Sequence, residues 1–275
     1  MFVGLGLLTM STIKSEGGKR GGTTTTIKKI LLNFSQILSL ASSLQLRWPT
    51  AIVEMFETYG TASSVGSNLL IPDCELSHTM NTSEAFYMKQ IFFTFSVPLI
   101  VVGSIVFLPL IGAPLYCVCK KKRLTCSQIK DYTVTTMVLM LFLCYPMLTK
   151  MSLSMLKCQP VGLEFFLFAD LQEPCFVGVH LHYVVLLTIP QIVLYVIGIP
   201  LCALFIILKN KEHLHTLKTR TRYGLLYRGY GKGREWWEII VTLRKVAMVC
   251  VGTFGSLMGA VEVGVIIFLN FFSVF

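Results

Sequence analysis

The chain consists of apolar segments of about 20 residues separated by short clusters of charge. An α-helix rises about 1.5 Å per residue, so about 20 residues cross a hydrocarbon core of about 30 Å. Hydrophobic residues make up 54% of the chain and charged residues 14%, whereas about a quarter of a soluble domain is charged. Because unpaired backbone groups are too costly inside lipid, this pattern predicts an all-α, polytopic transmembrane helix bundle.

The apolar segments predict about six spans. They cover residues 30–48, 86–119, 131–156, 183–208, 238–254 and 258–275. These spans define a transmembrane helical domain over residues 30–275. Residues 1–29 precede it as a truncated apolar start and a basic, flexible cytoplasmic linker rich in Gly, Thr and Lys. Both ends of the chain fall inside apolar runs, so we expect a fragment of a longer chain.

Basic residues are distributed unevenly between the loops. Eighteen of the 24 Lys and Arg residues lie in segments 11–29, 119–130 and 209–235, and the intervening segments 49–85 and 157–182 contain only Lys157. Loops rich in Lys and Arg remain on the cytoplasmic side. The sequence therefore predicts a multi-pass protein of the plasma membrane or an endomembrane. Its net charge of +10 indicates attraction to anionic lipid headgroups at the cytoplasmic face, not to nucleic acid.

Aromatic and basic side chains alternate between the fourth and fifth spans. The candidates for a lipid interface are Tyr223, Tyr227, Arg228, Tyr230, Trp236 and Trp237. One interpretation is an aromatic belt with positive-inside anchors, because such rings collect at membrane–water interfaces. The other is a lever under the bundle that binds anionic headgroups and couples them to the helices above.

Charged residues also lie within the predicted spans, at Arg244, Lys245 and Glu262. A charge at the bilayer centre costs about 2.5–3.5 kcal/mol on insertion scales. Arg244 either extends to the inner headgroups or lines a ligand or ion path. Lys245 points about 100° away on a helix and cannot share that environment. We expect substitution of Arg244 to change function more than substitution of Lys245.

The cysteines are assigned by compartment. Cys74, Cys158 and Cys175 lie in predicted outer segments, where oxidation is favoured. Cys158 and Cys175 enclose a short loop between two spans, so we predict that they pair and leave Cys74 odd. The alternatives are Cys74 paired with either one, or with a missing upstream region.

Two further modifications are candidates. Asn81-Thr-Ser83 matches the acceptor sequence for N-glycosylation on the predicted outer side. Cys117, Cys119 and Cys126 flank the cytoplasmic end of a span and are candidates for palmitoylation, with ordinary reduced thiols as the alternative.

The chain resembles a known family over about residues 28–275. The matching stretches are LLNFSQ at 31–36, Trp48-Pro49, PDCEL at 72–76, Tyr145-Pro146, Cys158, Asp170, Cys175, RYGLLYRGY at 222–230, WWE at 236–238 and LRK at 243–245. They resemble the TRP-like membrane domain of large surface proteins of unicellular eukaryotes, itself similar to fungal TRP and flavin-carrier-like proteins. The resemblance implies a channel-like or transporter-like bundle, often with a long extracellular region upstream.

Function is therefore expected to lie in the bundle. We expect no enzymatic activity and no cofactor, because no phosphate-binding loop, catalytic arrangement or metal-ligand cluster stands out. A voltage sensor is not expected either, because no span carries a basic residue at every third position. The leading hypothesis is passage of ions or small solutes, in a protein that is compatible with a homo-oligomer. The alternative is a non-conducting anchor or signalling domain of a large surface receptor or adhesin.

Overall fold

The computed structural model describes residues 21–42, 49–51, 53–54, 82–107, 125–214, 216–231 and 233–255. These residues form six helices and a small sheet. The helices are α1 (Gly21–Ser42), α2 (Thr82–Phe107), α3 (Cys126–Ser154), α4 (Gly178–Lys209), α5 (Leu217–Tyr227) and α6 (Trp237–Phe254). The strands are β1 (Cys158–Val161), β2 (Glu164–Leu167) and β3 (Asp170–Pro174), and a short 3₁₀ turn covers Lys211–His213.

Three of the described helices are long and apolar enough to cross a membrane. They are Glu84–Gly103 within α2, α3 and α4, of 20, 29 and 32 residues. Large apolar side chains of α4 face outward, including Leu186, Leu194 and Phe205. Such a continuous exposed apolar surface is typical of contact with lipid. The prediction of apolar helices is confirmed for these three, and membrane crossing by α1 and α6 stays a prediction. The span at 258–275 lies outside the described residues.

Helix α4 contains two π-helical stretches, Val184–Thr188 and Ile192–Ile197, on either side of the short α-helical segment Ile189–Gln191. Pro190 lies between them and has no backbone N–H to donate. A wider turn re-forms backbone hydrogen bonds around such a residue without ending the helix. The chain therefore keeps α4 continuous through the proline.

The all-α prediction is wrong for the segment between α3 and α4, where the chain forms an antiparallel sheet in the order β1-β2-β3. A two-residue turn joins Val161 to its partner Glu164. Gly162 in that turn has a φ of 68°, a region that glycine adopts readily. The strands are only four or five residues long, too short for a clear alternation of apolar and polar residues.

The predicted disulfide between Cys158 and Cys175 is confirmed, with their Cα atoms 6.2 Å apart. Cys158 pairs in register with Leu167, and both cysteines pack with Leu167 in a buried cluster against Phe86. The bond links the first residue of the sheet to the residue that follows its last strand. Cys74 lies outside the described residues.

Helix α1 begins earlier than expected, since residues 21–29 were predicted to be linker. Two contacts explain the helical extension. Lys29 is buried and donates to the Arg228 carbonyl. Thr26 packs against Gly229, since a Cβ built on Gly229 would lie 3.2 Å from the Thr26 side chain. Tertiary contacts thus override the low helix propensity of the Gly/Thr-rich segment.

The chain divides into two compact units. Unit 1 contains residues 1–33, 96–143 and 202–240, and unit 2 contains residues 34–95, 144–201 and 241–275. The described core of unit 1 includes Ile207, Leu214 and Tyr227. In unit 2, Leu40, Leu153 and Val249 form one buried cluster, and the disulfide lies in another.

The disulfide predicts a specific loss of stability. Closing a loop of about 15 residues stabilises a protein by about 3 kcal/mol in chain-entropy models. We expect Cys158→Ser and Cys175→Ser each to lower the free energy of unfolding by about that amount, measured by thermal unfolding of the purified protein. Cys202→Ser, which changes an exposed free thiol, is the control. Free thiols at both Cys158 and Cys175 in non-reducing peptide maps would contradict the assignment.

Candidate functional site

Neutral polar side chains join α2, α3 and α4 inside unit 2. Gln191 Nε2 donates to Thr94 Oγ1 at 2.5 Å and to the Gln90 carbonyl oxygen at 3.2 Å. Its Oε1 accepts from Ser152 Oγ at 3.0 Å. The Tyr195 hydroxyl donates to the Thr94 carbonyl at 2.5 Å. Gln191 therefore hydrogen-bonds to both neighbouring helices.

Gln90 extends this cluster by one turn. Its Nε2 donates to the Met151 carbonyl at 2.9 Å and to Ser154 Oγ at 3.1 Å. Two turns before Ser152 on α3, the Tyr145 hydroxyl donates to the Val196 carbonyl within the second π-helical stretch. In an apolar interior such bonds hold helices together. If the helices separated, the amide and hydroxyl groups would lose these partners and would have no water to replace them.

A buried charge in unit 2 lies at Lys245. Its side chain is 2% exposed, and Nζ donates to Gln36 Oε1 at 2.7 Å. Arg244 is half-buried by comparison. The structure therefore places the deeper burial at Lys245, because the 100° step between neighbouring residues turns Lys245 toward α1. The larger functional effect expected at Arg244 stays a prediction. Glu262 lies outside the described residues.

A buried ion pair connects α1 to α6 in unit 1. Lys29 Nζ lies 2.5 Å from Glu238 Oε2, and the two side chains are only 5% and 3% exposed. The Tyr230 hydroxyl donates to the same carboxylate oxygen at 2.9 Å. Lys29 also donates to the Arg228 carbonyl at 3.2 Å and lies 4.2 Å from the centre of the Tyr230 ring. We call Lys29, Arg228, Tyr230 and Glu238 the clamp.

The clamp compensates for a large desolvation cost. Burial lowers the pKa of Lys29 below that of a free lysine, and the charge and hydrogen bond of Glu238 act in the opposite direction. A buried pair of this kind stabilises the fold only when further hydrogen bonds satisfy its remaining atoms. The Arg228 carbonyl accepts one such bond from Lys29 Nζ, and the Tyr230 hydroxyl donates another to Glu238 Oε2.

A second ion pair connects α3 to α5 in unit 1. Arg222 Nε donates to Asp131 Oδ1 at 2.5 Å. One turn away on α3, Thr135 Oγ1 donates to the Thr221 carbonyl at 2.8 Å. These bonds fix α5 and position the chain that follows it.

The predicted lipid-interface residues occupy different environments. Tyr227 is buried, and its hydroxyl donates to the Leu214 carbonyl at 2.7 Å. Tyr223 packs against the same cluster, whereas Trp236 is exposed. The turn before α5 thus provides Tyr227 with an internal acceptor, and its role at lipid stays a prediction. The roles of the other aromatic residues at lipid stay predictions.

Several predicted sites are not described by the structure. Asn81, Cys117 and Cys119 lie outside the described residues, and Cys126 is an exposed free thiol. Among the residues that the structure describes, no group of three or more His, Cys, Asp or Glu side chains is placed to hold a metal ion.

Sequence reasoning missed the principal buried polar residues. Gln90 and Gln191 were visible as amides within long apolar segments, which is a usable signal. The sequence pattern places Lys29 in the flexible linker, and 209 positions separate it from Glu238. Nothing in the linear pattern pairs these two residues.

Comparisons with known proteins found one partial relative. The chain is 28% identical over 125 residues to cysteine repeat modular protein A of Toxoplasma gondii. The match covers 42% of this chain and 4% of that protein, so the chain corresponds to a small part of its relative. No family model matches the chain. No solved structure matches it either.

The clamp predicts strong coupling between Lys29 and Glu238. Lys29→Met or Glu238→Gln should each lower the free energy of unfolding by about 3–5 kcal/mol, because each leaves a buried partner uncompensated. The double variant should lower the free energy of unfolding by clearly less than the sum of the two single-variant effects. Thermal unfolding of purified protein checks this, with exposed Lys218→Met as the control. Additive effects would show that the pair does not interact energetically.

Proposed function

We propose that the chain is a multi-pass membrane domain that attaches a much larger cysteine-rich surface protein to the membrane. The observation that carries this proposal is the hydrogen-bonded cluster of Gln191, Gln90 and their partners, which joins three long apolar helices. The side-chain N–H groups of these amides donate to acceptors on neighbouring helices. Polar groups hold membrane helices together in this way.

The partial relative supports the same proposal. Its name describes cysteine repeats, and the matching region is 4% of its length. A match that is so small a part of a large protein agrees with a membrane domain whose role is to attach the remainder. The sheet between α3 and α4 is closed by a disulfide, and disulfides persist in oxidising compartments. Its segment, 157–182, is on the outer side in the charge-based topology, and the basic segments would contact anionic headgroups on the cytoplasmic side.

A second candidate function is passage of an ion or a small polar solute. Lys245 favours it, since an ionisable residue buried among apolar helices frequently marks a transport path. Its hydrogen bond to Gln36 joins α1 to α6. A transport role requires that this bond break and re-form as solute passes, whereas attachment requires only that it persist.

Attachment is tested by extraction. A soluble reporter protein joined to the N-terminus of the chain should remain in the membrane pellet after a wash with alkaline carbonate, as a spanning protein does. The same reporter alone is the control and should be released. Release of the joined protein by carbonate would contradict membrane integration.

Flux separates the two functions. The chain reconstituted in liposomes should show no flux of monovalent cations or small anions above that of empty liposomes if it only attaches. The double variant Gln36→Leu with Lys245→Met removes both polar partners together and should remain integrated. Flux in the wild type that this double variant abolishes would establish passage and replace attachment as the chain's own activity.

A further inference from the structure

An open cavity of about 290 Å³ lies in unit 1, where the chain leaves α5 and approaches α6. Its lining comprises Leu214, Arg220, Tyr227, Arg228, Gly229, Tyr230 and Glu235. Two of these residues are arginines and one is a glutamate, so the cavity has an excess of positive charge. A volume of this size accommodates a small polar ligand.

The strongest sign of a ligand is the side chain of Arg220. Its Nε–H is buried and has no hydrogen-bond acceptor among the residues that the structure describes. A buried donor without an acceptor costs about 1–3 kcal/mol, more when the group is charged. Each such group in a native structure calls for an explanation, and a bound water, ion or ligand is one of them. By contrast, Arg222 on the same helix is paired with Asp131.

The other polar groups of the cavity already have defined roles. The hydroxyls of Tyr227 and Tyr230 donate to Leu214 and Glu238 respectively, so their rings act as walls. Glu235 Oε1 accepts from the Gly233 N–H at 2.9 Å, which partly satisfies the one carboxylate.

Arg228 is held by its backbone. Its N–H donates to the Gly224 carbonyl at 2.8 Å, and its own carbonyl accepts from Lys29. The clamp therefore fixes the second arginine of the cavity.

We propose that this cavity is a binding site for a single phosphomonoester group, carried by a lipid headgroup or by a soluble metabolite. Such a group has about −1.5 to −2 charges and three terminal oxygens at neutral pH. Those oxygens accept from the planar, forked N–H groups of Arg220, and the negative charge is attracted by the two arginines, which outnumber the one carboxylate of the lining. Leu214 and the tyrosine rings form the apolar side of the cavity. The site is independent of whether the domain attaches or conducts.

The test is calorimetric titration of the full 275-residue chain in phosphatidylcholine nanodiscs. One arm uses soluble inositol trisphosphate, and the other uses short-chain phosphatidylinositol bisphosphate. Saturable binding in either arm supports the site. Similar affinity in both arms identifies the headgroup phosphates as sufficient, whereas binding in the lipid arm alone identifies a membrane lipid as the source. Absence of saturable binding in both arms would overturn the proposal.

Matched variants locate the site. Arg220→Gln should weaken binding at least about tenfold, since it removes a charged fork at the phosphate. Arg234→Gln makes the same change at an exposed arginine outside the cavity and should change affinity less than about twofold. Equal weakening by both variants would show diffuse attraction and overturn the site. If Arg220→Gln does not fold, Arg220→Lys keeps the charge and loses the fork. It should weaken binding about threefold or more, and unchanged affinity in that variant would likewise reject the proposal.

Discussion

The structure depends on a requirement imposed by burial, namely that every charge removed from water must have a partner. In unit 1, Lys29 and Glu238 meet this requirement together. The pair fixes helix α1 against the beginning of α6, and the additional bonds to Tyr230 and Arg228 fix the chain between α5 and α6. That same segment provides part of the basic cavity. One buried ion pair therefore links two helices and holds the segment that lines part of a candidate binding site.

In unit 2 most of the buried polar groups are neutral, and the amides among them are paired inside the protein. Amides at Gln90 and Gln191 pair with hydroxyls and carbonyls of neighbouring helices, and Lys245 is satisfied by the amide oxygen of Gln36. An amide provides both donors and an acceptor at a lower desolvation cost than a charge. The disulfide stabilises the sheet between α3 and α4 by covalent means, where the short strands alone bury little surface.

The sequence was sufficient to predict features that depend on local composition. Apolar length predicted spans at 131–156 and 183–208, which correspond to α3 and α4, and oxidising compartment predicted the bond between Cys158 and Cys175. Features that depend on distant contacts could not be predicted in this way. The sheet results from pairing of very short strands, and the helical start of α1 results from contacts more than 190 residues away, at Arg228 and Glu238. The greater burial of Lys245 than of Arg244 depends on the rotation of α6, which a count of residues along one helix does not determine.

Orientation in the membrane tests the central claim most directly. An epitope inserted at the hairpin tip beside Leu163, and another at exposed Gly231 between α5 and α6, can be detected by antibody before and after permeabilisation of cells. Multi-pass insertion with the observed distribution of basic residues predicts that the epitope at Leu163 binds antibody on intact cells. The epitope at Gly231 should bind only after permeabilisation. Detection of Gly231 on intact cells, or of both epitopes only after permeabilisation of plasma-membrane-localised protein, would contradict the account.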